Sequence, residues 1–143
     1  MSLVKRFEDI EAWQEARKLT QQIYAHTQGD AFRKDYGLVD QIRRAGVSSM
    51  NNVVEGFDSG SFAEFAQFLG YARRSASEVQ SCLYVAWDQR YLSEDGFNET
   101  YKQAEKTRAL ITGFIRYLRR STAAKRLTAR PDAGTPARRH AGT

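Results

Sequence analysis

The residues of this 143-residue chain best placed to do chemistry lie between Gln41 and Gly56, in the run QIRRAGVSSMNNVVEG. At about 100° per residue along a helix, Gln41, Arg44, Ser48, Asn52 and Glu55 share one stripe, while Leu38, Ile42, Ala45 and Val53 share its neighbour. Glu55 and the more distant Glu78 are candidates for a carboxylate pair, the arrangement that general acid–base catalysis uses. The structural alternative has each carboxylate accepting hydrogen bonds from Arg44, Asn52 or Ser75. Gln41, Arg44, Ser48, Asn52, Glu55, Ser75 and Glu78 then form a polar network between two helices, a device that sets register and partner choice. The second reading is the stronger, because the rest of the chain supplies no catalytic set.

The two histidines, His26 and His140, lack the Glu-x-x-His partners of a di-iron bundle. His26 reads as an exposed residue near a helix C-terminus, where a cation is favoured. Cys82 is the single cysteine, without a disulfide partner or a CxxC motif, and reads as a small core residue. Neither a phosphate-binding Gly-rich loop nor a nucleophile beside a base is present in the sequence. The expectation is a protein that is not an enzyme, with no cofactor, no metal and no small-molecule substrate. An N-terminus without an apolar signal core, and the lack of any membrane-length apolar run, lead us to expect a cytoplasmic location and no membrane contact.

Basic residues offer a different chemistry, the neutralisation of phosphates. Arg43, Arg73 and Arg74, with Arg33 and Lys34, are the candidates for nucleic-acid contacts; alternatively Arg44 serves the internal network and Arg73 and Arg74 are simply solvated. The net charge of +5 supports them less than its size suggests. From Arg119 to Thr143 there are seven basic residues and one acid, so the whole positive excess lies in the tail. That segment holds both prolines and no aromatic residue, and we expect residues 122–143 to be a disordered basic tail. Such a tail is either a nonspecific phosphate grip or a solubilising extension.

Four helices must position these groups, as one domain over 1–121. The first is expected from about Asp9, its N-cap, to Thr27, with Ala12 or Trp13, Ala16, Leu19 or Thr20, and Ile23 inward. The second spans about Tyr36 to Phe57. The third carries Phe62, Phe65, Leu69, Ala72, Ala76, Val79, Leu83 and Ala86 in unbroken 3/4 alternation, opened by a Ser61/Glu64 capping box. The fourth runs from about Ser93 to Arg120, with Phe97, Tyr101, Ala104, Ile111, Ile115 and Leu118 inward and Gly96 as a flaw in its first turn. No segment alternates with period 2, and the connections are short. The fold class is all-α, an antiparallel up-down four-helix bundle.

The third and fourth helices carry surplus residues beside these seams: Phe68, Ser75, Cys82 and Val85, then Leu110, Phe114 and Tyr117. They form either a wide stripe in a fat core or a face buried against a second copy, and the aromatic content favours self-association.

Three motifs in order also resemble a known family. RFEDIEAWQEAR at 6–17, QIRRAGVSSMNNVVEGF at 41–57 and EFAQFLGYARRSASEVQ at 64–80, with Tyr91-Leu92 taken as the end of the third helix, are similar to the 23S rRNA intervening-sequence proteins, also called the S23 ribosomal-protein family. The resemblance covers about residues 6–118 and rests on Phe7, Asp9, Trp13 and Ala16, on the second-helix motif from Gln41 to Gly56, and on Glu64, Phe65, Phe68, Leu69, Ala72, Ser75 and Glu78. It implies a small cytoplasmic bundle that assembles as a ring, usually a homopentamer, with a nucleic-acid-binding role and no defined enzymatic activity. Met50 stands where the family has proline, and Ser49 where it has isoleucine, so a straighter second helix is expected here.

Two functions compete. One is a non-enzymatic oligomeric scaffold that binds RNA or a ribonucleoprotein through repeated basic residues. The other is a self-assembly or protein-interaction module with no nucleic-acid role.

Overall fold

The computed structural model describes residues 4–129, with side chains described as far as Ala123. They form α1 (Glu11–His26), α2 (Tyr36–Phe57), α3 (Phe62–Asp88) and α4 (Glu94–Ala129), with short 3-10 turns at Phe7–Asp9 and Phe32–Lys34. Among the described residues there is no strand.

Side-chain contacts fix the direction of each helix. Thr27 and Gly46 bring the end of α1 against α2, through Arg43 Nε donating to Thr27 Oγ1 and the close approach of Gly46 to Thr20 and Ile23. Contacts then descend α3 as α2 is ascended, from Ser48–Ser75 to Gly56–Phe65. They descend α4 as α3 is ascended, from Arg73–Thr112 to Gln80–Glu105. On the fourth side, His26 meets Thr100 and Glu15 meets Gln103. The result is an antiparallel up-down bundle in which α1 and α3 each pack mainly on α2 and α4.

Most of the expected inward positions fill the core, while Phe62 and Tyr101 are half-buried. Ala16, Leu19, Ile23, Ile42, Val53, Leu69, Ala72, Ala76, Val79, Leu83, Ala104, Ile111 and Leu118 are almost completely buried. Buried Thr20, Ser49 and Thr107 satisfy their hydroxyls by donating to Ala16, Gly46 and Gln103 carbonyls of their own helices, so each is accommodated without a partner helix.

Asp35 caps α2 by accepting from Leu38 N at 3.2 Å. Ser61 caps α3 by accepting from Glu64 N at 3.1 Å, while the Glu64 carboxylate accepts from Gly60 N, one residue before the usual capping-box partner. Ser93 Oγ accepts from Gly96 N at the start of α4. Asp9 does not cap α1: it ends the preceding 3-10 turn, and Ile10, buried in the core, takes the N-cap position.

Two further boundaries differ from expectation. α3 stops at Asp88, and Tyr91-Leu92 belongs to the following turn. Arg90 adopts φ 64, Tyr91 N donates to Ala86 O and Arg90 N to Trp87 O, a Schellman closure in which a non-glycine residue occupies the left-handed position. α4 continues past Arg120 to Ala129, because the alanine- and basic-rich sequence there has no helix breaker before Pro131. Of the expected disordered tail, residues 130–143 lie outside the described residues. α2 passes through Met50 without a break.

Five of the seven surplus residues beside the seams pack within the subunit. Phe68 lies on Gly56 of α2, Ser75 bonds Ser48 of α2, and Cys82 is buried in the core. Leu110 and Phe114 pack with Ile10 and Ala12 beneath α1. The fat-core reading therefore holds for these five. Val85 and Tyr117, at 45% and 40% exposure, remain on the surface.

Candidate nucleic-acid interface

The polar network is smaller than its sequence stripe. Ser48 Oγ and Ser75 Oγ lie 2.8 Å apart, and Asn52 Nδ2 donates to both Ser48 Oγ and Ser48 O. Arg44 is not a member; it turns back one helical turn to Asp40 at 2.8 Å, on the exposed back of α2. Gln41, Glu55 and Glu78 are exposed and make no side-chain hydrogen bond among the described residues.

The five basic candidates do not form one patch. Arg43 is committed to α1: besides its bond to Thr27, its guanidinium lies 4.3 Å over the Tyr24 ring. Arg33 and Lys34 are exposed on the connection between α1 and α2, with Arg33 at 4.0 Å from Asp30. Arg73 is on the α3–α4 side, donating through Nη1 to Thr112 Oγ1 at 3.1 Å. Arg74 stands on the solvent side of α3, 5.3 Å from the Tyr71 ring. In a square of four helices, the α1–α2 and α3–α4 sides are opposite one another.

Around Arg73 the electrostatics are one-sided. α3 has no carboxylate from Phe65 to Ser77, and α4 has none from Lys106 to Ala129. Those stretches face one another, since Arg73 reaches Thr112 and the Phe65 and Phe114 rings are 5.0 Å apart. Arg116 and Arg119 follow Thr112 by four and seven residues and share its stripe. Arg116, Arg119 and Arg120 are all exposed, and no salt bridge engages them among the described residues. With Arg73, and with Arg74 on the adjoining solvent face of α3, they give this region five arginines, here called the ridge. Sequence reasoning missed Arg116 and assigned Arg119 and Arg120 to the tail. The signal that reveals them is the acid-free run that begins after Glu105.

Glu105 marks the boundary of this ridge. It accepts from Gln80 Nε2 at 2.7 Å and lies 3.4 Å from Arg108, which also donates to Gln80 Oε1. Beyond it the same side becomes aromatic. Trp87 stacks on Phe97 at 4.4 Å, Phe97 on Tyr101 at 5.4 Å, and Tyr84 leans on both Phe97 and Tyr101. A hydrogen bond to Tyr84 is the main reason the Tyr101 phenol is held above its ordinary pKa.

The remaining perturbed groups are tied to structure. Glu15, with 7% of its side chain exposed, accepts from Gln103 at 2.9 Å and Lys18 at 3.1 Å and has Lys106 at 3.6 Å. The Gln103 bond foremost, against the opposing effect of burial, lowers its pKa. His26 is half-buried rather than exposed: Nε2 lies 3.0 Å from Thr100 Oγ1, and the missing side chain of Gly96 makes room for the ring. Burial lowers its pKa, and Glu99 works in the other direction. Burial likewise raises the Cys82 thiol, assisted by Glu78. Among the described residues no three His, Cys, Asp or Glu side chains converge as metal ligands, and no helix is long and apolar enough to cross a membrane.

The protein is an antiparallel four-helix bundle whose α3–α4 side carries a basic stretch without carboxylates. Its sequence matches the family model described as 23S rRNA-intervening sequence protein over residues 8–113, and the chain belongs to that family. Among solved structures it is similar to a protein of unknown function from the S23 ribosomal protein family of Bacteroides thetaiotaomicron. That likeness has a TM-score of 0.67 and 20% identity, covers 73% of this chain and 97% of the other, and concerns the fold alone. No curated protein matches the chain.

Proposed function

We propose that this protein is a cytoplasmic, non-enzymatic, self-associating scaffold that binds RNA or a ribonucleoprotein. The observation that carries the reading is the ridge of Arg73, Arg74, Arg116, Arg119 and Arg120 on facing helix stretches without a carboxylate. Five positive charges with no internal counter-ion favour a polyanion, and phosphates release condensed counter-ions on binding. Repetition of the ridge in an oligomer would multiply its effect by avidity. We assign contact between copies to the α2–α3 side, where Gln41, Glu55 and Glu78 are exposed and the ridge is absent. A non-enzymatic role fits the use of Glu15, His26 and Asp35 as structural ties between helices.

The test is fluorescence polarisation of the full chain with short RNA and DNA over a salt series, alongside light scattering for mass. Binding with a steep salt dependence, retained after deletion of 130–143 and lost on neutralising the ridge, supports the reading. Binding that disappears with the tail alone, or no binding at low salt, overturns its RNA half. A monomer mass overturns self-association.

A further inference from the structure

We propose that the α3–α4 side binds single-stranded RNA, with unpaired bases stacked on Tyr84 and Trp87 while the backbone runs along the arginine ridge. The inference rests on the RNA reading above and specifies its substrate class.

Tyr84 and Trp87 are 48% and 37% exposed, although each has one side packed against Phe97. Their rings are therefore braced from within and open outward. Phe97 is buried and Tyr101 half-buried beneath them, so the platform is held by a stack that does not have to form on binding. A rigid aromatic face attracts any base without reading its edge. A duplex buries its base faces and offers nothing to such a platform.

Tyr84, Gln80 and Arg73 lie along one side of α3, and Tyr101, Arg108, Thr112, Arg116 and Arg119 along the facing side of α4. Between Phe97 and Arg119 the helix rises about 33 Å, enough for a strand of several nucleotides. Glu105, the carboxylate inside this track, is already engaged by Arg108 and Gln80. Asp88, one turn beyond Tyr84, is exposed and opposes a phosphate backbone. It provides a sign test: removing its charge favours RNA and disfavours a basic protein.

The experiment uses the full chain with fluorescein-labelled oligouridine and a loop-free RNA duplex of equal phosphate count, at one salt concentration. The single strand should bind more tightly. Tyr84→Ala should weaken oligouridine by about tenfold while leaving the duplex unchanged, and Asp88→Asn should tighten both. Because Trp87 supports Phe97, it is followed without truncation: in a Trp13→Phe background its emission should be quenched by saturating oligouridine. Equal affinity for both RNAs with Trp87 emission unmoved would overturn the stacking proposal and leave the ridge standing. Failure of both RNAs to bind at low salt would remove the underlying reading as well. Loss of oligomer mass in Tyr84→Ala would make the patch a contact between copies, which also overturns the proposal.

Discussion

Gly56 of α2 lies so close to Phe65 of α3 that a methyl group on its Cα would stand 2.6 Å from Phe65 Cδ1 and 3.1 Å from the Phe65 carbonyl oxygen. A ring can rotate away, but a helix backbone cannot without moving the whole element. Gly56→Ala should therefore destabilise the protein by about 1–3 kcal/mol despite alanine's better helix propensity. Gly70 provides the control, because a Cβ there meets nothing within 4 Å. Gly70→Ala should stabilise by about 0.5–1 kcal/mol. Urea denaturation of both variants checks the contrast, and equal effects would refute the close approach.

Glu15 predicts an acid limb in the stability profile. Its folded pKa lies below its unfolded value, so the unfolded chain binds the proton more readily. The stabilisation is complete above the ordinary value of 4.5 and is lost as pH falls through the folded one. Glu15→Gln should cost about 1–3 kcal/mol at pH 7 and flatten the decline below pH 4.5. Thermal unfolding of both proteins across pH 3–7 reads it directly.

His26 adds a second limb at higher pH. Burial depresses its folded pKa beneath the ordinary 6.5, so its neutral form is the one the fold accepts. Stability should be greatest above 6.5 and decline as acid titrates the ring. An NMR titration should show the His26 ring with a midpoint below 6.5. A midpoint above it would contradict the packing against Thr100 and Gly96.

Arg90 holds a left-handed conformation that glycine adopts without strain. Arg90→Gly should be stabilising by up to about 1 kcal/mol, the relief of the left-handed penalty less the added freedom of the unfolded chain. A fall in the denaturation midpoint would mean that the Arg90 side chain contributes more than the turn geometry suggests.

The ridge can be separated from the other arginines by salt dependence. If RNA is bound there, Arg116→Gln with Arg119→Gln should lower the slope of log affinity against log salt by about 1.4, on the scale of 0.7 per phosphate for single strands. Arg43→Gln should leave that slope alone and instead lower the melting temperature, since Arg43 joins α2 to Thr27 and Tyr24.

The four helices were legible because their seams repeat. Leu69, Ala72, Ala76, Val79 and Leu83 declare an inward face through spacing alone, and all five are buried. The end of α2 was legible too, since the Asp58-Ser59-Gly60 stretch is a local stop signal. Ile10 and Tyr91 were misplaced for the opposite reason. Their positions depend on tertiary burial and on a left-handed residue that no propensity favours. The candidate site suffered similarly: Arg43 and Arg73 look equivalent in sequence, yet Thr27 claims one and Thr112 the other from opposite sides of the bundle. Arg116 became visible only when α3 and α4 were set face to face.

Asp35 has a consequence of its own. One of its carboxylate oxygens accepts from Leu38 N at the head of α2, and the other accepts from the Tyr91 hydroxyl, 56 residues away, whose ring stacks on Phe32. A single side chain therefore latches both loops at one pole of the bundle. The ends of α1 and α3 are joined through it, so that pole should open as one cooperative unit in hydrogen exchange, with the two chain reversals losing protection together rather than fraying one after the other.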